Sequence, residues 1–246
     1  IDRLLQRVRT GGGGLFEVVF GLSGSGKTTF LKTLPKFFND IHVASFPKER
    51  LLTELPKFVR DEHTSAGKNA RVVLIERRDN PSAADLAQVD EMFAELLETF
   101  RVPEGSALVL WPITRESTAS EIAKKAWETG RDSVADHASK GIFRFSGLPK
   151  DRYFEIADST SRSLAGDPLD AFGVTKDVAR EFLAGCETIS DFFAHVDQRA
   201  DETRDSAWSI LKERVRARLW VVLPGDILAS VDGTVKALTA GIRNRI

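Results

Sequence analysis

Apolar residues fall first into short runs, each followed by a segment in which they recur three and four positions apart. Residues 16–20, 41–46, 71–76, 107–111 and 141–145 read as strands, since apolar runs of this length between turn signals are what buried strands require. Leu4, Leu5 and Val8 share one helical face before the first run. Phe30, Leu31 and Leu34 share another after it, with Pro35 marking its end. Leu51, Leu52, Leu55, Phe58 and Val59 make a third apolar face, kinked or split at Pro56. The polar stretch 61–70 reads as a loop. Ser82 and Asp85 have the spacing of a capping box, and Leu86, Val89, Phe93, Leu96, Leu97 and Phe100 continue from them with helical period. Ala119, Ile122, Ala123, Ala126 and Trp127 form the next helical face. Strands alternating with helices require right-handed crossovers, which build a mostly parallel sheet covered on both faces.

After Gly147 the pattern turns to helix only. Tyr153, Ile156, Ala157, Thr160 and Leu164 line one segment, Gly166-Asp-Pro168-Leu169 interrupts, and Val178, Phe182, Leu183 and then Phe192, Phe193 and Val196 follow. Residues 201–220 read as a helix, although Val215, Ala217, Leu219 and Val221 alternate with Arg214, Arg216 and Arg218, as a strand with an arginine face would. A further helix is expected over 231–242. The expected organisation is an α/β domain over 1–147, with a mostly parallel five-stranded sheet in three layers, and a smaller helical lid domain over 148–246.

The first strand runs into Gly21-Leu-Ser23-Gly24-Ser25-Gly26-Lys27-Thr28-Thr29, which matches the phosphate-binding pattern G-x-x-x-x-G-K-[ST]. A loop wrapped around a polyphosphate turns its own N–H groups inward, and glycines permit those dihedrals and that approach. Lys27 then supplies a point charge to the outer phosphates, and Thr28 a hydroxyl for Mg²⁺. The run 71–76 ends in Glu76, a carboxylate at the carboxyl end of a buried strand, where it can ligate Mg²⁺ or orient a water. Arg77 and Arg78 follow it, and Asp79 offers a second acid. The run 107–111 leads through Pro112 to Thr114 and Arg115, a polar pair able to contact a γ-phosphate. Pairing of a surface arginine with Glu116 is the simpler alternative for Arg115.

The formal net charge of -1 creates no global field to recruit nucleic acid or an anionic membrane, and only the 214–218 arginines leave nucleic-acid contact open. The single cysteine, Cys186, reads as a small buried residue of a reducing compartment, and the expected location is cytoplasmic. No run approaches membrane-spanning length. Beginning at Ile1, the chain reads as a piece of a longer protein. His42 reads as a packed histidine at the core edge, since no second ligand stands at metal spacing.

Motif order resembles the AAA+ class of P-loop ATPases, and within it the STAND signalling ATPases. Glu76-Arg-Arg-Asp79 is similar to the family's Walker B with its second acid, Glu replacing the first Asp. Residues 105–116 resemble its Gly-Ser, apolar strand, Thr-Thr-Arg stretch, with Ile113 replacing the first Thr. By that resemblance Arg115 contacts the γ-phosphate, Thr114 senses it, and Pro168 of a Gly-x-Pro turn packs on the nucleotide. The resemblance implies ATP with Mg²⁺, held by Gly21, Ser23, Gly24, Ser25, Gly26, Lys27, Thr28 and Thr29, with Lys27, Glu76, Asp79 and Arg115 in the chemistry and Thr28 and Glu76 on the metal. It also implies self-association, or a partner protein completing the site.

Three functions compete. An ATP-driven switch, hydrolysing slowly to ADP, follows from the resemblance. A small-molecule or nucleoside kinase is favoured by the spelling of the loop, which is that of adenylylsulfate kinases, but the second strand ends in Ser45-Phe46-Pro47 where such kinases usually present an acid. A nucleotide-binding scaffold without turnover is favoured by Arg77 and Arg78 beside the active carboxylate. The absence of Asn-Lys-x-Asp favours ATP over GTP.

Overall fold

The computed structural model describes residues 1–11, 13–66, 70–131 and 134–214. Five strands, β1 (Leu15–Phe20), β2 (Ile41–Phe46), β3 (Ala70–Ile75), β4 (Leu108–Ile113) and β5 (Ile142–Arg144), form one sheet in the order β2-β3-β4-β1-β5. Every pairing is parallel. β1 lies between β4 and β5, with Leu15 against Leu108 and Val18 against Ile142. The carboxyl ends of β1, β3 and β4 therefore share one edge.

Side chains alternate between two cores with the period of two that a strand imposes. Phe16, Val18, Val73, Val109 and Trp111 enter one core, while Leu15, Val19, Val72, Leu108 and Leu110 enter the other. The first core is covered by α4 (Leu55–Ala66), α6 (Val89–Phe100) and α7 (Glu116–Gly130); the second by α1 (Asp2–Gly11), α2 (Lys27–Lys32) and α3 (Leu34–Phe37). Helices on both faces of a parallel sheet make this an α/β fold. Phe16 meets Phe93 edge-to-face at 4.8 Å and Trp111 at 6.4 Å, and burying each such ring contributes about 2 kcal/mol.

α5 (Ala83–Ala87) opens on the expected capping box: Ser82 Oγ accepts from the Asp85 N–H and Asp85 accepts from the Ser82 N–H. Two expectations need correction. The stretch expected as a loop over 61–70 is helical through Ala66, where α4 ends, and Ala70 already belongs to β3; 67–69 lie outside the described residues. Asp61 and His63 are exposed on a helix whose inward face, Leu55 and Val59, is fully buried. Pro35 does not end its helix. α2 stops at Lys32, and Pro35 sits in the first turn of α3, where a missing N–H costs nothing. Pro56 falls in the first turn of α4, behind a 3-10 turn over Leu52–Glu54.

Beyond β5 the elements among the described residues are helical: α8 (Tyr153–Leu164), a 3-10 turn (Leu169–Phe172), α9 (Lys176–Gly185) and α10 (Ile189–Arg214). Their shared core gathers Tyr153, Ala157, Leu169, Ala179, Phe192 and Val196, with Cys186 packed in it as the small buried residue expected. Burial pushes the Cys186 thiol above its usual range. The chain divides into two compact units, Ile1–Asp201 and Glu202–Ile246. In the second, the described residues are the last turns of α10, where Trp208 and Ile210 are exposed. The arginine alternation beyond Arg214 and the helix expected over 231–242 lie outside the described residues. Among the described residues no helix is long and apolar enough to cross a membrane.

Candidate functional site

β1 delivers the glycine-rich loop to the carboxyl edge of the sheet. The Gly21 N–H donates to the Ile113 carbonyl at 3.2 Å, tying the loop to the end of β4. A Cβ on Gly21 would stand 2.6 Å from the Phe145 carbonyl oxygen, so only glycine lets β5 approach. Gly24 and Gly26 have φ of 75° and 90°, left-handed values that cost an L-residue roughly 1 kcal/mol or more. Gly26 caps α2.

Lys27 is the buried cation of this loop, 4% exposed. Its Nζ donates to the carbonyls of Gly21 at 2.6 Å and Leu22 at 2.7 Å. Ser25 N–H also donates to Leu22, at 3.3 Å. A backbone donor and an ammonium thus converge on one oxygen. Burial lowers the Lys27 pKa, and the nearby Asp79 carboxylate works against that shift. Ser25 Oγ is buried and has no hydrogen-bond partner within the chain.

The loop forms one wall of a cavity of about 740 Å³, within the roughly 300–1,000 Å³ of small-molecule sites. Gly24, Ser25, Gly26, Lys27, Thr28 and Thr29 contribute the polar side, and Asp79 faces them. Phe30, Phe145, Leu148, Ile156, Ile189 and Phe193 line an apolar side drawn from α2, the segment after β5, α8 and α10. Thr33 and Thr160 are polar residues on that side, and each hydroxyl donates to its own helix backbone, at 2.9 Å and 2.7 Å.

The acids separate. Glu76 accepts from Ser45 Oγ at 2.8 Å and pairs with Lys32 Nζ at 2.8 Å; it is not on the cavity wall, whereas Asp79 is. Between them Arg77 adopts φ of 55°, a turn that only a few per cent of non-glycine residues make. Arg78 is buried and does not reach the cavity. Its guanidinium donates to the carbonyls of Lys48 and Arg50, lies 5.6 Å above the Phe46 ring and 3.5 Å from Asp85, while Trp111 Nε1 donates to its carbonyl at 3.0 Å. The segment carrying Asp79 is therefore anchored to β2 and β4.

Comparison with known protein families and with curated proteins finds no match for this chain. The site stands on its geometry. Thr114 braces Asp79, its N–H donating to the Asp79 carbonyl at 3.1 Å and its Oγ1 lying 2.8 Å from Asn80 Oδ1. Neither Thr114 nor Arg115 is on the cavity wall; Arg115 is exposed at the N-cap of α7, and Glu116 pairs with Arg144 at 2.7 Å. Pro168 precedes the 3-10 turn in the helical segment and is likewise off the wall. Gly21 supports the loop from behind, and Ser23 is exposed. Sequence reasoning missed the apolar wall and Ser190, which lines the cavity mouth beside Gly24. No local pattern marks them, because they come from segments far apart in sequence. Among the described residues no cluster of three metal-ligating side chains exists.

Proposed function

We propose that this chain binds ATP with Mg²⁺ in the loop-lined cavity and hydrolyses it slowly, as a nucleotide-dependent switch. The observation that carries the reading is the convergence of Lys27 Nζ and the Ser25 N–H on the Leu22 carbonyl, inside a loop opened by left-handed Gly24 and Gly26. Donors gathered on one neutral oxygen bind an anionic phosphate oxygen more strongly, because charge-assisted hydrogen bonds are about twice as strong.

In this reading the loop amides and Lys27 hold the phosphates. Thr28 and Asp79 are the oxygen donors that would hold Mg²⁺; their presence on the wall, which lacks Glu76, supports Asp79 as the acid in this reading. Hydroxyl and carboxylate oxygens are the donor chemistry Mg²⁺ takes, alongside phosphate and water. The bound ion would neutralise charge on the phosphate oxygens. The apolar wall excludes water from the nucleoside, and ATP is preferred to GTP because the chain lacks Asn-Lys-x-Asp. Arg115, exposed at the carboxyl edge, is free in position to act on a neighbouring copy, which makes self-association part of the proposal.

One observation favours the scaffold reading as the alternative: the tie between Glu76 and Lys32 keeps a strand-end carboxylate from orienting water. Phosphate release by the wild-type and Lys27→Ala chains, measured with Mg²⁺ across protein concentration, decides between them. Release that needs Lys27 and climbs with concentration supports the switch. ATP binding through Lys27 without release at any concentration supports the scaffold, and phosphoryl transfer to a metabolite acceptor would replace both with a kinase.

A further inference from the structure

The first turn of α10 is joined to the glycine-rich loop. Ser190 N–H donates to the Gly24 carbonyl at 3.3 Å. That N–H belongs to the first turn of a helix, where no intrahelical acceptor exists, so the loop carbonyl supplies one. The approach depends on glycine: a Cβ on Gly24 would lie 2.6 Å from Ser190 Cβ and 3.0 Å from Thr188 Oγ1.

A trans peptide points its carbonyl and its N–H in opposite directions. Fixing the Gly24 carbonyl on α10 therefore aims the Ser25 N–H back into the loop, toward Leu22, where Lys27 Nζ also points. The turn that does this is capped by its own side chains. Thr188 Oγ1 accepts from the Asp191 N–H at 3.3 Å, and Asp191 Oδ2 accepts from the N–H groups of Thr188 at 2.8 Å and Glu187 at 3.1 Å, a reciprocal cap. Thr188 is itself buried. The unpartnered Ser25 Oγ belongs to the residue whose N–H this contact orients.

We propose that Thr188, Ser190 and Asp191 are positioning residues for phosphate: the capped turn of α10 holds the Gly24 peptide so that the Ser25 N–H converges with Lys27 Nζ, where a phosphate oxygen would take the place of the Leu22 carbonyl. The inference rests on the phosphate-binding reading above and adds the element that presets the loop. It separates α10 from a simple cover over the nucleoside, because a preset loop serves any polyphosphate, with or without a base.

The test is calorimetric binding of inorganic tripolyphosphate and of ATP to the full chain, as wild type, Ser190→Pro and Asp191→Ala. Proline is tolerated in a first helical turn and deletes the N–H, while the alanine loosens the cap without touching the loop. Hydrogen exchange over residues 22–29 is followed in parallel. Both variants are expected to weaken tripolyphosphate and ATP by the same factor, about tenfold, or 1.4 kcal/mol, and to speed exchange of the loop amides while the α7 amides are unchanged. Should one variant fail to fold, the other carries the same expectation. Variants that bind both ligands as wild type does, or that lose ATP affinity alone, overturn the inference and leave the phosphate site standing. A wild-type chain that binds neither ligand overturns both.

Discussion

Glu76 Oε1 lies 2.8 Å from Lys32 Nζ, so the acid that ends β3 is joined to α2 rather than turned to the glycine-rich loop. The carboxylate on the cavity wall belongs to Asp79, three residues on, beyond the left-handed Arg77. Asp79→Asn is therefore expected to lower Mg²⁺-dependent ATP affinity by about tenfold or more, a loss of ~1.4 kcal/mol, and Glu76→Gln by less than about threefold. Titrations of both variants with and without Mg²⁺ check the order. A larger loss for Glu76→Gln would return the metal to the end of β3.

Gly26 and Gly21 should fail for different reasons. Gly26 has φ of 90° and open space around a Cβ, so Gly26→Ala is expected to cost about 1–2 kcal/mol of strain. Gly21→Ala must push a methyl to 2.6 Å from the Phe145 carbonyl, and backbone on that side moves only with β5. A loss of about 2–3 kcal/mol is expected, at the upper end of overpacking penalties. Denaturant unfolding of the two variants gives both numbers.

Glu17 provides a pH dependence unrelated to the loop. It is fully buried in the middle of β1; its Oε1 accepts from Ser139 Oγ at 2.7 Å and from the Asp136 N–H at 3.1 Å, and its Oε2 has no partner. Burial raises its pKa from 4.5 to about 7, while the hydrogen bonds from Ser139 and Asp136 oppose the rise. The folded chain then holds a proton between pH 4.5 and about 7 that the unfolded chain releases, so stability falls as pH rises through that window and levels off above it. Asp136 shifts the other way. Burial pushes it up, but the Ser139 N–H and the Arg7 and Arg3 guanidiniums outweigh burial and hold it low. Glu17→Gln is expected to flatten the decline and to stabilise the fold at pH 8 by on the order of 2 kcal/mol. Thermal unfolding from pH 5 to 8 reads the slope, and an unchanged slope would remove Glu17 as its source.

Arg78 ties the segment carrying Asp79 to the end of β2 through the Phe46 ring and to the turn after it through the Lys48 and Arg50 carbonyls. Arg78→Met keeps much of the volume and loses the donors, leaving two carbonyls short of a partner. About 1–3 kcal/mol of destabilisation is expected, with ATP affinity falling only in the presence of Mg²⁺ as Asp79 loosens.

The strands were legible because each combines an apolar run with a turn signal, and the parallel sheet followed from their alternation with helices. Strand order was not legible. Nothing local says that β4 rather than β3 lies against β1. The helix through 61–66 was hidden because Asp61, Glu62 and His63 are polar, and polarity there reads as loop. The loop itself was legible, since left-handed backbone at Gly24 and Gly26 must be spelled in glycine. Glu17 had a signal: a single acid within an apolar run of a strand that pairs on both sides. The separation of Glu76 from Asp79 had none, because it depends on Lys32 and on the Arg77 turn, which are products of tertiary packing.

The measurement that tests the central claim most directly is equilibrium binding of Mg²⁺-ATP to the wild-type and Lys27→Ala chains, with circular dichroism showing both folded. Saturable one-site binding to the wild type, weakened at least about a hundredfold, or ~2.7 kcal/mol, in Lys27→Ala and displaced by ADP, is the expected result. Equal affinity in the two chains, or no binding by a folded wild type, would contradict it.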